Sequence, residues 1–134
     1  MISQSTARTT GNIATFAFLA GIVLQLLLAL GILPVTMAWG GSQTVLTPLL
    51  RLAHVLAALL LAGFAHVIRR RAGLLAHARP SRLIKILAWV VTGFLILNTL
   101  GNFASSSTAE KFVSGSLTLV LVLACLLVSI SKSD

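Results

Sequence analysis

Four apolar runs, each long enough to cross a lipid bilayer, constrain this chain more than any other feature of its sequence. They cover about residues 13–33, 48–68, 83–103 and 112–131. A helix needs about 20 mostly apolar residues to span the hydrocarbon core of a membrane, and the four runs take up most of the chain. We therefore expect one integral membrane domain over residues 1–134, an all-α membrane protein folded as an antiparallel four-helix transmembrane bundle.

Basic residues predict the orientation of these helices. Six of the ten Lys and Arg residues lie in the 17-residue stretch 69–85, namely Arg69, Arg70, Arg71, Arg79, Arg82 and Lys85. Short loops rich in such residues stay on the cytoplasmic side, whereas the connection from 33 to 47 has no charge and that from 104 to 111 has only Glu110 and Lys111. The pattern predicts a multi-pass inner-membrane protein with both termini in the cytoplasm. The six basic residues would contact anionic lipid headgroups.

The bulk composition argues against two other interpretations. A net charge of +8 would suggest nucleic-acid binding in a soluble protein, but 57% of the residues are apolar and no aromatic residues alternate with the basic ones. We expect no nucleic-acid partner. Arg8 before the first run also fits a cleaved signal peptide, whose apolar part is typically about 7–15 residues long. The run from Ile13 to Leu33 has 21 residues, so we expect a retained helix.

Capping residues predict where the later helices begin. Thr47 precedes Pro48, a proline that fits the first helical position, and Ser81 offers a capping hydroxyl to the third helix. The sequence Ser-Thr-Ala-Glu at 107–110 matches a capping box, in which Glu110 would reach back to the N–H of the cap residue. This motif gives Glu110 a structural role.

Polar residues near the external ends of the helices form the candidate ligand-binding site. Arg51 and His54 are three residues apart, and Asn98 and Asn102 are four apart, so each pair shares one helix face. Ionisable residues inside spans are costly and often functional, and these side chains could converge in a pocket rimmed by Glu110. In the alternative interpretation Arg51 extends to the membrane interface and the others bond between helices. Further polar residues predicted to pack between helices are Gln25, Ser114 and Thr118.

The connection after the first run contains Trp39, Gly40 and Gly41. Glycine pairs favour tight turns, and tryptophan is enriched where membrane meets water. The segment therefore predicts an interfacial turn with the indole at headgroup level.

The sequence contains few residues that could bind a metal or take part in a redox reaction. His54 and His66 are 12 residues apart, about 18 Å along a helix, which is too far to hold one haem iron from both sides. Cys125 is single, and three histidines and two acidic residues are scattered along the chain, so neither thiol exchange nor a metal site is predicted. A proton-coupled transporter would hold an acidic residue within a span, whereas Glu110 lies at a helix end. We expect no catalytic residue, no metal and no cofactor, with haem b kept as an alternative.

The C-terminal third carries a resemblance. The sequence Leu-Asn-Thr-Leu-Gly-Asn at 97–102, followed by serines, Glu110-Lys111 and the fourth run, resembles a pattern of uncharacterised small four-span bacterial membrane proteins. The resemblance implies the same bundle and brings no activity. We expect a non-enzymatic accessory or interaction subunit that acts through its helix faces on other membrane subunits or on a second copy. A small-molecule binder or transporter that uses the external polar residues is one alternative, and a haem-linked redox component is another.

Overall fold

The computed structural model describes residues 2–75 and 79–132, and within these ranges it contains helices and turns but no strand. The long helices are α1 Gln4–Leu30, α2 Pro48–Arg71, α3 Arg82–Ala104 and α4 Ser116–Ile130. A π-helical segment, Glu110–Gly115, runs directly into α4. With that segment included, each helix is long and apolar enough to cross a membrane. The prediction of an all-helical chain with four such helices is confirmed.

The helix starts at Thr47 and Ser81 are confirmed. The Thr47 hydroxyl accepts the N–H of Leu50 at 3.2 Å, and the Ser81 hydroxyl accepts the N–H of Ile84 at 3.3 Å. Each contact satisfies one of the N–H groups that a helix leaves without a partner in its first turn. Because these interactions are local, the sequence was sufficient to predict them.

Helix α1 begins nine residues before the predicted apolar run. Its first turns are polar but helical, capped by Ser3, and they pack on the chain that follows α2. The contact is close at Gly11, where an added Cβ would lie 2.6 Å from the Cβ of Ala72. Glycine is therefore required for α1 and this segment to touch.

The core of the fold is formed by all four helices. Helix α1 packs against α2 and α4, and α3 packs against α4 and α2. Small residues such as Ala14, Ala88 and Ala124 are buried between them, as are the larger side chains of Phe18 and Leu121. Many other large apolar side chains point outward, which is the arrangement expected where the surrounding solvent is hydrocarbon.

Arg71 joins the C-terminal ends of α2 and α4. Its side chain is 6% exposed, and its Nη2 donates to the carbonyls of Ser129 at 3.0 Å and Ser131 at 2.7 Å. Its Nη1 donates to the Ser131 hydroxyl at 3.3 Å. Carbonyls in the last turn of a helix have no partner within the helix, so the guanidinium caps α4. The prediction that Arg71 contacts lipid headgroups is wrong, because its charge is buried against this helix end.

The other basic residues of the 69–85 stretch differ in exposure. Arg69 is half-buried, and its Nη1 donates to the hydroxyl of Thr15 on α1 at 3.2 Å. The four that remain exposed are Arg70, Arg79, Arg82 and Lys85.

Candidate functional site

A cavity of about 280 Å³ lies between the four helices. Part of its wall is apolar and includes Leu24, Leu28, Leu60, Leu61, Phe94, Leu95, Leu117 and Leu121. The polar part of the wall consists of Gln25, Trp39, His54, Asn98, Asn102, Glu110, Ser114 and Thr118. An apolar cavity of about 150 Å³ can hold benzene. The space here is therefore sufficient for a molecule larger than one aromatic ring.

His54 is hydrogen-bonded through both ring nitrogens. It is 2% exposed, its Nδ1 lies 2.7 Å from Oε1 of Gln25, and its Nε2 lies 3.2 Å from the indole nitrogen of Trp39. An indole N–H can only donate, so Nε2 accepts this hydrogen bond. Nδ1 therefore carries a hydrogen and donates it in a hydrogen bond to Oε1 of Gln25. The imidazole in this network is therefore neutral. Gln25, predicted to pack between helices, does so as the partner of His54.

Asn102 connects α3 to α4. Its Nδ2 donates to Oδ1 of Asn98 at 3.3 Å and to the hydroxyl of Thr118 at 3.2 Å. The Thr118 hydroxyl donates to the carbonyl of Ser114 at 2.8 Å, and all four residues line the cavity. The Asn102–Thr118 hydrogen bond thus joins the two helices, and all four residues present polar atoms to the cavity.

Glu110 forms only half of the predicted capping box. The Ser107 hydroxyl accepts the N–H of Glu110 at 3.3 Å, but the N–H of Ser107 donates to the Ser105 hydroxyl instead. Oε2 of Glu110 accepts the N–H of Gly40 at 2.9 Å and the hydroxyl of Ser105. The prediction that Glu110 reaches back to its own cap is wrong, because Ser105 already occupies that N–H. The carboxylate binds the connection between α1 and α2.

The turn at Trp39–Gly41 positions two groups at the cavity. Trp39, Gly40 and Gly41 have φ angles of 57°, 71° and 76°, a left-handed conformation that glycine adopts at little cost. This backbone directs the Trp39 indole to His54 and the Gly40 N–H to Glu110. The predicted turn is present. Its indole N–H is hydrogen-bonded to His54, a contact that was not part of the prediction of an indole at headgroup level.

Arg51 lies outside the cavity wall. Its Nη1 donates to the carbonyl of Ala29 at 3.0 Å, in the last turn of α1, where a cation also interacts favourably with the helix dipole. Of the four candidate ligand-binding residues, His54, Asn98 and Asn102 line the cavity and Arg51 does not.

The two histidines in the described part of the chain, His54 and His66, do not share a common site. His54 is buried, whereas His66 is exposed further along α2. Within residues 2–75 and 79–132, no group of three or more His, Cys, Asp or Glu side chains is arranged to hold a metal ion.

Sequence reasoning placed Glu110 at the rim of the pocket but missed three contacts at this site: Gln25 with His54, the Trp39 indole with His54, and the Glu110 carboxylate with Gly40. One signal was available for Gln25, since it is the only amide in the middle of a span and an unpaired amide there is costly. The roles of Trp39 and Glu110 depend on contacts between distant parts of the chain, for which the sequence has no local signal.

No protein-family model, curated protein or solved structure matches this chain. Its class therefore follows from its own architecture. Four candidate membrane spans are the feature of a multi-pass membrane protein, and here they line a cavity that is polar on one side.

Proposed function

We propose that the chain crosses the inner (plasma) membrane as an antiparallel four-helix bundle, with both termini and the basic stretch 69–85 in the cytoplasm. The excess of Lys and Arg in this stretch supports the orientation. The exposed residues Arg70, Arg79, Arg82 and Lys85 would contact anionic headgroups, each contributing about 1 kcal/mol near the surface.

Single-cysteine reporters test this topology. In a Cys125→Ser background, Gln43→Cys should react with an impermeant maleimide from outside and Arg79→Cys only after the membrane is opened. Labelling of both positions in intact cells would refute the orientation.

We further propose that the protein binds a small amphipathic molecule in the cavity between its helices. The observation that carries this proposal is the division of the cavity wall into an apolar and a polar part. Ligand sites are commonly apolar pockets with a few convergent polar groups that orient the ligand. A molecule with a polar end near His54, Asn98 and Asn102 and an apolar body along the leucines would satisfy both parts.

A cavity-filling substitution tests the binding function. Ser114→Phe would place a ring in the cavity, and the matched control Val113→Phe adds the same ring at an outward-facing neighbour that is 44% exposed. Binding of naphthylmethanol to protein in phosphatidylcholine nanodiscs, measured by equilibrium dialysis against empty nanodiscs, should be lost in Ser114→Phe and kept in Val113→Phe. Equal binding by both variants would contradict the proposal.

A second candidate function is that of an accessory subunit. Only 11% of the most apolar part of α2 is buried, compared with 33%, 28% and 39% for the other three spans. Gly63 on α2 has open space where a Cβ would be, so another helix could approach closely there. This face would bind another membrane subunit or a second copy.

Purification in mild detergent distinguishes this function from ligand binding. Gly63→Leu should abolish co-purification of a partner or a second copy, whereas Gly93→Leu, at an equally open position on α3, should not. A lone protomer in both the native protein and the Gly93→Leu control would rule out the accessory function. The haem-linked alternative gains no support from the positions of His54 and His66.

A further inference from the structure

We infer that the ligand of the cavity is a small organic cation, an ammonium group on an apolar body, with Glu110 as its counter-charge. This inference rests on the proposed binding function. Among the residues that the structure describes, Glu110 supplies the only charged side chain in the cavity wall. Its Oε2 is already bonded to Gly40 and Ser105, and no hydrogen bond between described residues engages its Oε1. The carboxylate therefore retains an acceptor for a ligand.

The helix end alone does not account for the position of this carboxylate. A glutamate in a capping box is held against its own cap, but here Ser105 replaces it in that contact. The released side chain lines the cavity instead. It sits at a π-helical turn, a rare conformation that often occurs at functional sites.

No positive charge in the described part of the cavity wall compensates Glu110. Arg51 is directed to the carbonyl of Ala29, and Lys111, although adjacent in sequence, is not among the lining residues. His54 is neutral, because its Nε2 accepts the indole N–H of Trp39. An anionic ligand would be repelled by the like charge of Glu110.

The aromatic and apolar parts of the wall define the remainder of the ligand. Trp39 and Phe94 both line the cavity, and the faces of such rings attract cations. A volume of about 280 Å³ is nearly twice the roughly 150 Å³ that holds one benzene ring. A primary or secondary ammonium with an apolar body of about two fused rings matches these features.

Three probes with one naphthalene body and different charges test the inference. They are naphthylmethylammonium, naphthylmethanol and naphthoate, each dialysed at neutral pH against protein in phosphatidylcholine nanodiscs and against empty nanodiscs. The zwitterionic lipid removes the attraction of cations to a charged bilayer. We expect the ammonium to bind about tenfold more tightly than the alcohol, because charge-assisted hydrogen bonds are about twice as strong as neutral ones. The naphthoate should bind most weakly.

Substitutions at Glu110 separate its charge from its shape. Glu110→Gln should abolish the preference for the ammonium over the alcohol, which is measured as the ratio of the two affinities within the same variant. Glu110→Asp should retain part of the preference. Lys111→Gln, the neighbouring control, should preserve it.

The outcomes separate this inference from the proposed function on which it rests. Binding of the alcohol without a preference for the ammonium, or a preference that survives Glu110→Gln, overturns the cation inference and leaves the binding function in place. Failure of all three probes to bind overturns both.

Discussion

The capping of α4 by Arg71 leads to a quantitative prediction. Arg71→Ala removes three hydrogen bonds and leaves the carbonyls of Ser129 and Ser131 without their donor. A hydrogen bond to a charged group contributes about 1.5–3 kcal/mol, but the three share one side chain. The buried charge also carries a desolvation cost, and its Nε has no hydrogen-bond partner among the described residues. We expect a net loss of about 3 kcal/mol in the free energy of unfolding, or roughly 150-fold in the equilibrium constant.

The single cysteine of the chain provides the assay. Cys125 lies on α4 and is 0% exposed, so a maleimide dye reaches it only when the bundle opens. Where the bundle closes again faster than the dye reacts, the labelling rate is proportional to the fraction of molecules whose bundle is open. The rate in detergent micelles should rise by roughly 150-fold in Arg71→Ala.

The neighbouring residue is the control for this assay. Arg70 is an exposed arginine next to Arg71 in the chain, and Arg70→Ala should change the labelling rate by no more than about twofold, as for an ordinary surface substitution. Arg71→Lys, which keeps the charge but loses the planar fork, should fall between the two. Equal labelling of Arg71→Ala and Arg70→Ala would refute the capping role.

Two further predictions concern glycines. Gly11→Ala should lower the free energy of unfolding by about 1–3 kcal/mol, because the new Cβ would lie 2.6 Å from that of Ala72. Gly101→Ala, where the space is open, should be neutral or stabilising in the same Cys125 labelling assay. Faster labelling of Gly101→Ala than of Gly11→Ala would contradict the packing. Gly40→Ala places a Cβ at a φ of 71°, a strain of about 1–2 kcal/mol, and should accelerate proteolysis of the connection by at least about fivefold relative to Thr44→Ala. Equal cleavage of these two variants would argue against a tightly held turn.

The sequence predicted the features of this fold that depend on interactions close along the chain. The apolar runs indicated four helices, and the hydroxyls of Thr47 and Ser81 indicated where two of them begin, because a cap bonds only to the next turn. Asn98 and Asn102 were placed on one face by their spacing alone, and they do meet at the cavity.

The contacts that were missed join residues far apart in the chain. Glu110 binds Gly40 across 70 positions, and Arg71 binds Ser131 across 60. Such pairs depend on how each helix is rotated and how deep it lies against its neighbours. Spacing within one helix carries no information on either quantity. The partner of Arg51 could not be predicted for the same reason: its Nη1 donates to a backbone carbonyl of α1, outside the cavity wall.

The arginines at 69–71 have three different environments, and this affects how the proposed orientation can be tested. Arg69 contacts Thr15 on α1, Arg71 closes α4, and Arg70 is exposed. Inverting a membrane protein by deleting positive charges assumes that the charges act only during insertion. Here, deleting the whole triplet would also weaken the folded bundle, so an inverted chain and an unfolded chain would be confused. Within the 69–85 stretch, charge can be changed with the least effect on packing at four exposed residues, Arg70, Arg79, Arg82 and Lys85.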